Sequence, residues 1–307
     1  MTTMHHSILE ALWMRAVDPA SANASVDSWD KEMKALYESG ISMEEAIHYL
    51  YGEKPGLETF MRWVDNRSKA VVSEEQDLTE DVLSADDLAS WKENGYIVVR
   101  NAISAQQCEA TRQAIWDFLE MDPANKETWY KRHEQQKGLM LNFSNHETLN
   151  KNRFSPKIKK AYEQLYQTTA IHRTIDKVSF NPPETSTFRF MGSPLHWDVS
   201  LGLPIPFTLQ GLLYLTDCGR NDGAFHCVPG FHTQIETWLN GLDPSEDPRE
   251  LAALILQPIP ITGNAGDFII WQNTLPHCAM PNHGTSPRMV QYLTYLPDEL
   301  APSSVWI

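Results

Sequence analysis

The stretch GDFIIWQNTLPHCAMPNHGTSPRMVQYLTY, residues 266–295, decides the fold. Gly266-Asp267 reads as a turn and Phe268 to Trp271 as a short apolar strand. A loop of polar and turn-forming residues leads to His277, and Arg288 opens a second strand, RMVQYLTY. Working outward, strand-like segments recur at 186–190, 207–215, 224–228, 267–271 and 288–296, with Gly, Pro, Asn and Asp between them. Many short strands bounded by turn residues predict a jelly roll or barrel. A helical insertion is predicted near 233–256, where helical spacing surrounds two Pro-containing turns.

Upstream the periodicity changes. Ser84 precedes a short helix through Trp91 that Gly95 ends, and the β-branched run Tyr96 to Val99 reads as a strand. Ser104 and Gln107 form a capping-box signature for a helix through Leu119. Residues 1 to about 72 read as helical. Trp29, Met33 and Leu36 recur at helical spacing and Gly40 stops them. Ser42 then caps a helix with Met43, Ile47 and Leu50 on one face, and Leu57, Phe60, Met61 and Val64 mark another. Between these regions, EEQDLTEDVLSADD (74–87) holds seven acids and no base, which predicts a solvated, irregular connection. The expected organisation is a helical extension, 1–80, followed by a core, 81–307. The class is α+β with a mainly β core and flanking helices.

With 307 residues the chain can bury a large core. Its net charge of −15 argues against nucleic acid and anionic membrane as partners. Four cysteines without C-x-x-C spacing fit reduced thiols, and no basic leader precedes an apolar run. The expected location is the cytoplasm. Oligomeric state is not legible.

The chemistry is carried by SPLHWDVS, residues 193–200. In an extended segment, residues two apart share a face, so His196 and Asp198 can present a nitrogen and an oxygen to one metal. A third ligand from a neighbouring strand would complete a facial triad of two histidines and a carboxylate, with open positions for chemistry. An alternative reading makes His196 a strand-end residue and Asp198 a turn cap. His277 is the candidate third ligand. Arg288, eleven residues later, offers a rigid fork that matches a carboxylate. Taken singly, His277 and Arg288 could each be surface residues.

Together these segments resemble the phytanoyl-CoA dioxygenase family. LHWD is followed by GAFHCVPGFH (223–232), then by Gly-Asp, a distal His, an Asn and an Arg opening a strand, all in the family's order. The stretch 87–115 resembles the opening of the family's core, so the resemblance covers about 85–300 and leaves residues 1–75 outside. It implies a double-stranded β-helix of jelly-roll or cupin type. It implies an iron(II)- and 2-oxoglutarate-dependent oxygenase that consumes O2 and releases succinate and CO2. His196, Asp198 and His277 would hold the iron and Arg288 the 2-oxoglutarate C5 carboxylate. Gln210 and Thr208, on one face of FTLQGLLYL, and Met140 and Asn142, in LMLNF, are further candidates for co-substrate or substrate contact, with packing as the alternative. Trp197, between two ligands, should face away. His232 should fix a loop. Halogenating relatives lack the triad carboxylate, so Asp198 argues against halogenation.

The preferred substrate is a small metabolite, an amino acid or an intermediate of secondary metabolism. Two alternatives stand beside it: an acyl group on CoA or a carrier protein, and a non-catalytic binding barrel. The basic stretches 126–137 and 151–160 could meet a carrier or could be solvated faces. The extension is expected to pack on the core and shape the substrate entrance.

Overall fold

A computed structural model describes residues 3–17, 26–70, 77–190 and 192–299. Four helices come first: α1 (Thr3–Val17), α2 (Val26–Glu38), α3 (Met43–Glu53) and α4 (Leu57–Ala70). They bury Leu9, Leu12, Leu36, Ile41, Leu50, Phe60 and Val64 in a cluster of their own. Ser42 caps α3 by accepting the Glu45 N–H at 3.2 Å. Its buried face runs through Ala46 and Leu50, while Ile47 is exposed, so the predicted stripe was one residue out.

The core opens with α5 (Ala85–Asn94), β1 (Tyr96–Val99) and α6 (Ala105–Leu119), and the predicted capping box at Ser104 is present. Next come β2 (Gln136–Lys137), β3 (Met140–Leu141), α7 (Glu147–Arg153), α8 (Pro156–Tyr166), β4 (Ile171–Arg173), β5 (Val178–Asn181) and β6 (Leu209–Tyr214). The chain continues through β7 (Phe225–Cys227), α9 (Ile235–Asn240), α10 (Pro248–Ile255), β8 (Ile259–Ile261) and β9 (Phe268–Gln272). It closes with β10 (His277–Ala279), β11 (Arg288–Tyr292) and β12 (Tyr295–Pro297). The expected strand at 186–190 is irregular, and α9 and α10 occupy the predicted insertion.

Seven strands form an antiparallel sheet in the order β1-β9-β6-β11-β5-β3-β2, and β10-β7-β8 form a smaller one. Side-chain alternation sends each strand of the large sheet in two directions. Leu213, Phe268, Ile270 and Met289 pack with Ile115, Ile158 and Tyr162 of α6 and α8. Leu212, Tyr214, Ile269, Trp271 and Val290 pack with Phe225, Cys227 and Cys278 of the small sheet. This two-sheet jelly roll with flanking helices is the double-stranded β-helix, and its inner face carries the site.

Where it is described, the acidic connection is irregular and largely exposed, as expected, and it is also pinned to the core. Lys159 on α8 pairs with Asp77 at 2.5 Å, and Lys160 lies 3.6 Å from Asp81. The Gln164 side chain accepts the Val82 and Leu83 N–H groups, both at 2.9 Å. The acids answer basic residues on α8, a pairing that a local reading of charge cannot see.

Candidate metal centre

Backbone pairing brings the two histidines together. His196 and His277 each donate an N–H to the other's carbonyl at 3.0 Å. Directly opposed residues of an antiparallel pair share a face, and the ring centroids stand 4.6 Å apart. Only this bridge is strand-like; Asp198 follows in a bend rather than in the expected strand. Its carboxylate still reaches both rings, with Oδ2 at 3.2 Å from His277 Nε2 and Oδ1 at 3.5 Å from His196 Nε2.

The protonation pattern tests whether a cation belongs there. His196 Nδ1 donates to Pro194 O at 2.8 Å and His277 Nδ1 to Leu275 O at 3.1 Å. A carbonyl only accepts, so Nδ1 carries the proton, and in the neutral ring Nε2 presents a lone pair. Burial, together with the neighbouring His277, lowers the His196 pKa, so that ring is neutral at pH 7. Burial pushes the Asp198 carboxyl up. The hydrogen bond and charge of His277, the Gln210 amide and His196 outweigh it and hold the group well below the usual carboxylate range. The ligand atoms of His196, Asp198 and His277 all lie within 4.8 Å of one another, and with Nδ1 of each ring turned to a carbonyl it is Nε2 that faces the shared centre. Two imidazole nitrogens and one carboxylate oxygen suit a divalent metal with open positions, iron(II) included.

Surrounding residues fix these donors. Gln210 and Trp271 face each other across β6 and β9. Trp271 Nε1 donates to Gln210 Oε1 at 3.0 Å, which orients the amide so that its Nε2 donates to Asp198 Oδ2 at 2.9 Å. Gln210 thus holds a candidate ligand. Trp197 faces away, as expected: it is buried against Phe231 and Trp238, with Nε1 bonded to Thr274 O at 2.9 Å.

Sequence reasoning missed Arg249. From α10 its guanidinium donates to Trp197 O and Val199 O, both at 2.8 Å, and so clamps the backbone on either side of Asp198. The insertion offered no motif signal, because the contact depends on where α10 docks. We expect Arg249→Met to weaken iron(II) binding about 10–100-fold, the range for lost outer supports of a metal ligand. Arg249→Lys should recover only part, because an ammonium lacks the two-pronged fork. A metal titration showing unchanged affinity in Arg249→Met would refute the role.

Arg288 opens β11 opposite Asn181 of β5, on the inner face. It is 2% exposed, yet no described carboxylate pairs with it. Its Nη1 donates to Gly223 O, Nη2 to Ser179 Oγ at 3.3 Å, and Nε has no partner. Gly223 sits at φ +71, and a Cβ there would meet Asn181 Nδ2 at 2.6 Å. The Gly of GAFHCVPGFH therefore lets a carbonyl approach the arginine.

The other motif residues are structural. Asp267 accepts from Asn101 N, Asn264 N and Arg100 Nη1. Asn282 donates to Asn181 O and Ser286 O. His232 bonds Lys92 O at 3.3 Å and packs on Gly95, fixing a loop as expected.

A cavity of about 560 Å³ is lined by His196, Asp198, His277, Arg288, Gln210 and Met140, among others. Asn142 and Thr208 lie outside it. Asn142 Oδ1 accepts from Lys177 Nζ at 3.0 Å, and Thr208 pairs through its backbone with Asn273. Asn142 follows the end of β3 and Thr208 precedes the start of β6, so strand parity fixes the direction of neither.

Comparison with known proteins agrees with this geometry. The model of the family "Phytanoyl-CoA dioxygenase (PhyH)" matches residues 91–290, a span that contains His196, Asp198, His277 and Arg288. A Dictyostelium discoideum protein named "Putative phytanoyl-CoA dioxygenase" is 22% identical over 255 residues, covering 66% of this chain and 72% of the relative. Among solved structures, the fold is shared with the non-heme alpha ketoglutarate dependent carbocyclase SnoK from nogalamycin biosynthesis. That match has a TM-score of 0.52 at 20% identity, over 72% of this chain and 87% of SnoK. The epimerase SnoN from the same biosynthesis has a TM-score of 0.53 at 16% identity, over 71% and 85%. AviO1 from Streptomyces viridochromogenes Tue57 has a TM-score of 0.52 at 15% identity, over 74% and 100%. With a family match spanning most of the chain, the protein belongs to the phytanoyl-CoA dioxygenase family of iron(II)- and 2-oxoglutarate-dependent oxygenases.

Proposed function

We propose that this dioxygenase oxidises a C–H bond of a small metabolite, with His196, Asp198 and His277 holding iron(II) and Arg288 receiving the C5 carboxylate of 2-oxoglutarate. One observation carries the reading. Three convergent electron-pair donors and a buried guanidinium with an unpartnered Nε share a single cavity. A buried cation is stable only when paired, and a carboxylate is its natural complement. SnoN has been crystallised with Fe3+ and alpha ketoglutarate, the same class of ligands. When bound, iron and 2-oxoglutarate supply the oxidising equivalent, with succinate and CO2 as products. The chain's own work is to orient Asp198 through Gln210, to aim both Nε2 atoms at the centre by tying each Nδ1 to a carbonyl, and to exclude water with the apolar walls.

Charge narrows the substrate. Beside the two histidines, the cavity holds the carboxylates Glu44, Asp176 and Asp198 and the cations Lys177 and Arg288. A metal dication and a 2-oxoglutarate dianion cancel, and burial pushes the Asp176 carboxyl up, so the lining carries no net positive charge. Lys177 is already paired with Glu44, and Arg288 is reserved for the co-substrate. Among the described lining residues no cation is left for a substrate carboxylate or phosphate. A neutral or amine-bearing intermediate fits better than a free amino acid or an acyl-CoA. The carrier reading also loses support, because Lys159 and Lys160 are engaged by Asp77, Asp81 and Glu163. The complete donor set argues against a non-catalytic barrel.

The test is succinate release by anaerobically iron-loaded protein given 2-oxoglutarate and then O2. Succinate should depend on iron, disappear with a chelator, and rise with neutral or amine-bearing metabolites more than with anionic ones. Binding of iron and 2-oxoglutarate with no succinate across such a panel would favour the non-catalytic reading.

A further inference from the structure

The N-terminal helices lie outside the span matched by the family, yet they help build the cavity of the candidate ligands. Tyr37 from the last turn of α2, Ser42, and Met43 and Glu44 from the first turn of α3 all line it. Polar contacts tie this corner to the core. Glu44 pairs with Lys177, which lies between β4 and β5 and also donates to Asn142 Oδ1 at 3.0 Å. Ser144 Oγ donates to Ser42 Oγ at 3.4 Å, and Lys34 pairs with Asp298 at 2.8 Å. Burial and the nearby Asp176 carboxylate push the Tyr37 phenol up, so it remains a hydrogen-bond donor. Met43 adds a polarisable thioether that adapts to an irregular apolar surface.

We propose that the N-terminal helices form a wall of the substrate site, with Tyr37 and Met43 contacting the substrate and the Glu44–Lys177 ion pair holding that wall against the core. The substrate class follows from the wall. Tyr37 and Ser42 offer hydroxyl groups, Asp176 beside them offers an acceptor, and Met43 and Met140 offer apolar surface. Such a lining suits a hydroxylated, uncharged or amine-bearing molecule with an apolar skeleton. A cavity of about 560 Å³ is within the usual range for a drug-sized ligand. This inference rests on the oxygenase reading.

The experiment uses full-length, iron-loaded protein with 2-oxoglutarate, O2 and catalase, and no substrate. Turnover then has no acceptor but the protein. The balanced reaction converts a thioether, O2 and 2-oxoglutarate into a sulfoxide, succinate and CO2, with one oxygen atom going to sulfur and one to succinate. Peptide mass spectrometry should find oxidation at Met43, alongside the core-borne Met140, well above that at the exposed Met14. Succinate with oxidised Met140 and unoxidised Met43 would overturn the wall. Absence of succinate would instead strike the oxygenase reading.

A second measurement needs no metal. In the metal-free protein, Glu44→Lys should raise hydrogen exchange across residues 41–45 about tenfold, as two like charges push the wall away. The swap Glu44→Lys with Lys177→Glu should restore protection. Equal exchange in all three proteins would overturn the role given to the ion pair.

Discussion

His277→Ala is expected to abolish iron-dependent succinate formation, with a loss of at least about a thousandfold. Removing an outer support of a ligand costs about 10–100-fold, and removal of a ligand itself should exceed that. The variant leaves His196 Nε2 and the Asp198 carboxylate as the donors and deletes the 3.2 Å contact that helps hold Asp198 in place. It also leaves a void, because the ring packs on Phe225 and Trp271 at centroid distances of 5.7 and 5.2 Å. A fall in stability is therefore expected too, and activity should be read beside iron stoichiometry and the thermal midpoint of the metal-free protein. Loss of iron and succinate in a protein that still unfolds cooperatively is the predicted outcome. Retained iron-dependent turnover would refute His277 as a ligand. A pH corollary follows from His196. Burial holds its pKa below the ordinary histidine value of 6.5, so the neutral ring predominates at pH 7. Proton competition at His196 should therefore set in only below the ordinary histidine range, which iron titrations at several pH values would check.

What the sequence made legible divides by the range of the interactions involved. The capped helices at 85–94 and 105–119, the strand at 96–99 and the strands at 209–214, 225–227, 268–272 and 288–292 were readable because caps, glycines and β-branched runs act locally. The strands at 171–173 and 178–181 were not, since pairing with β12 and β11 rather than composition makes them strands. The triad was readable as a set of residue types in order. Its geometry rests on something else, the mutual hydrogen bonds of His196 and His277 across eighty residues of chain. Gln210 was picked for its face, and the structure adds a contact that the face alone does not give: Trp271, facing it on β9, turns its amide toward Asp198. Thr208 shares the strand's parity, but that parity loses meaning where the strand has not yet begun. Arg249 was invisible because nothing local distinguishes an arginine that clamps a ligand loop from one on a solvated helix. The extension's place at the cavity was equally hidden, since it depends on Glu44 meeting Lys177.

These supports share one logic. Asp198 leaves the bridge at His196 in a bend, where backbone pairing no longer holds it. The fold compensates from two sides, with Gln210 on the carboxylate and Arg249 on the flanking carbonyls. A bend frees the carboxylate to meet both rings, and side chains from β6 and α10 then restore the rigidity that a strand would have provided.

Arg288→Met should raise the apparent Kd for 2-oxoglutarate by about 10²–10³-fold. Truncating one partner of a buried, hydrogen-bonded charge pair costs roughly 2–5 kcal/mol, and tenfold corresponds to about 1.4 kcal/mol. Methionine retains the apolar stem and removes the guanidinium, so Gly223 O and Ser179 Oγ lose their donors while packing is largely kept. The discriminating measurement uses a second co-substrate, a 2-oxo acid of similar length without the distal carboxylate. Wild-type protein should prefer 2-oxoglutarate strongly, whereas Arg288→Met should bind both acids weakly and nearly equally. Selectivity should therefore fall by about the same factor as affinity, because both report one interaction. Iron affinity, which we assign to His196, Asp198 and His277, should change little. An arginine that served only to stabilise β5 and β11 would give another pattern: a lowered thermal midpoint, with the preference for the distal carboxylate intact. Arg288→Lys provides the last control. It keeps the charge but loses the planar fork, so it should fall between wild type and Met in selectivity.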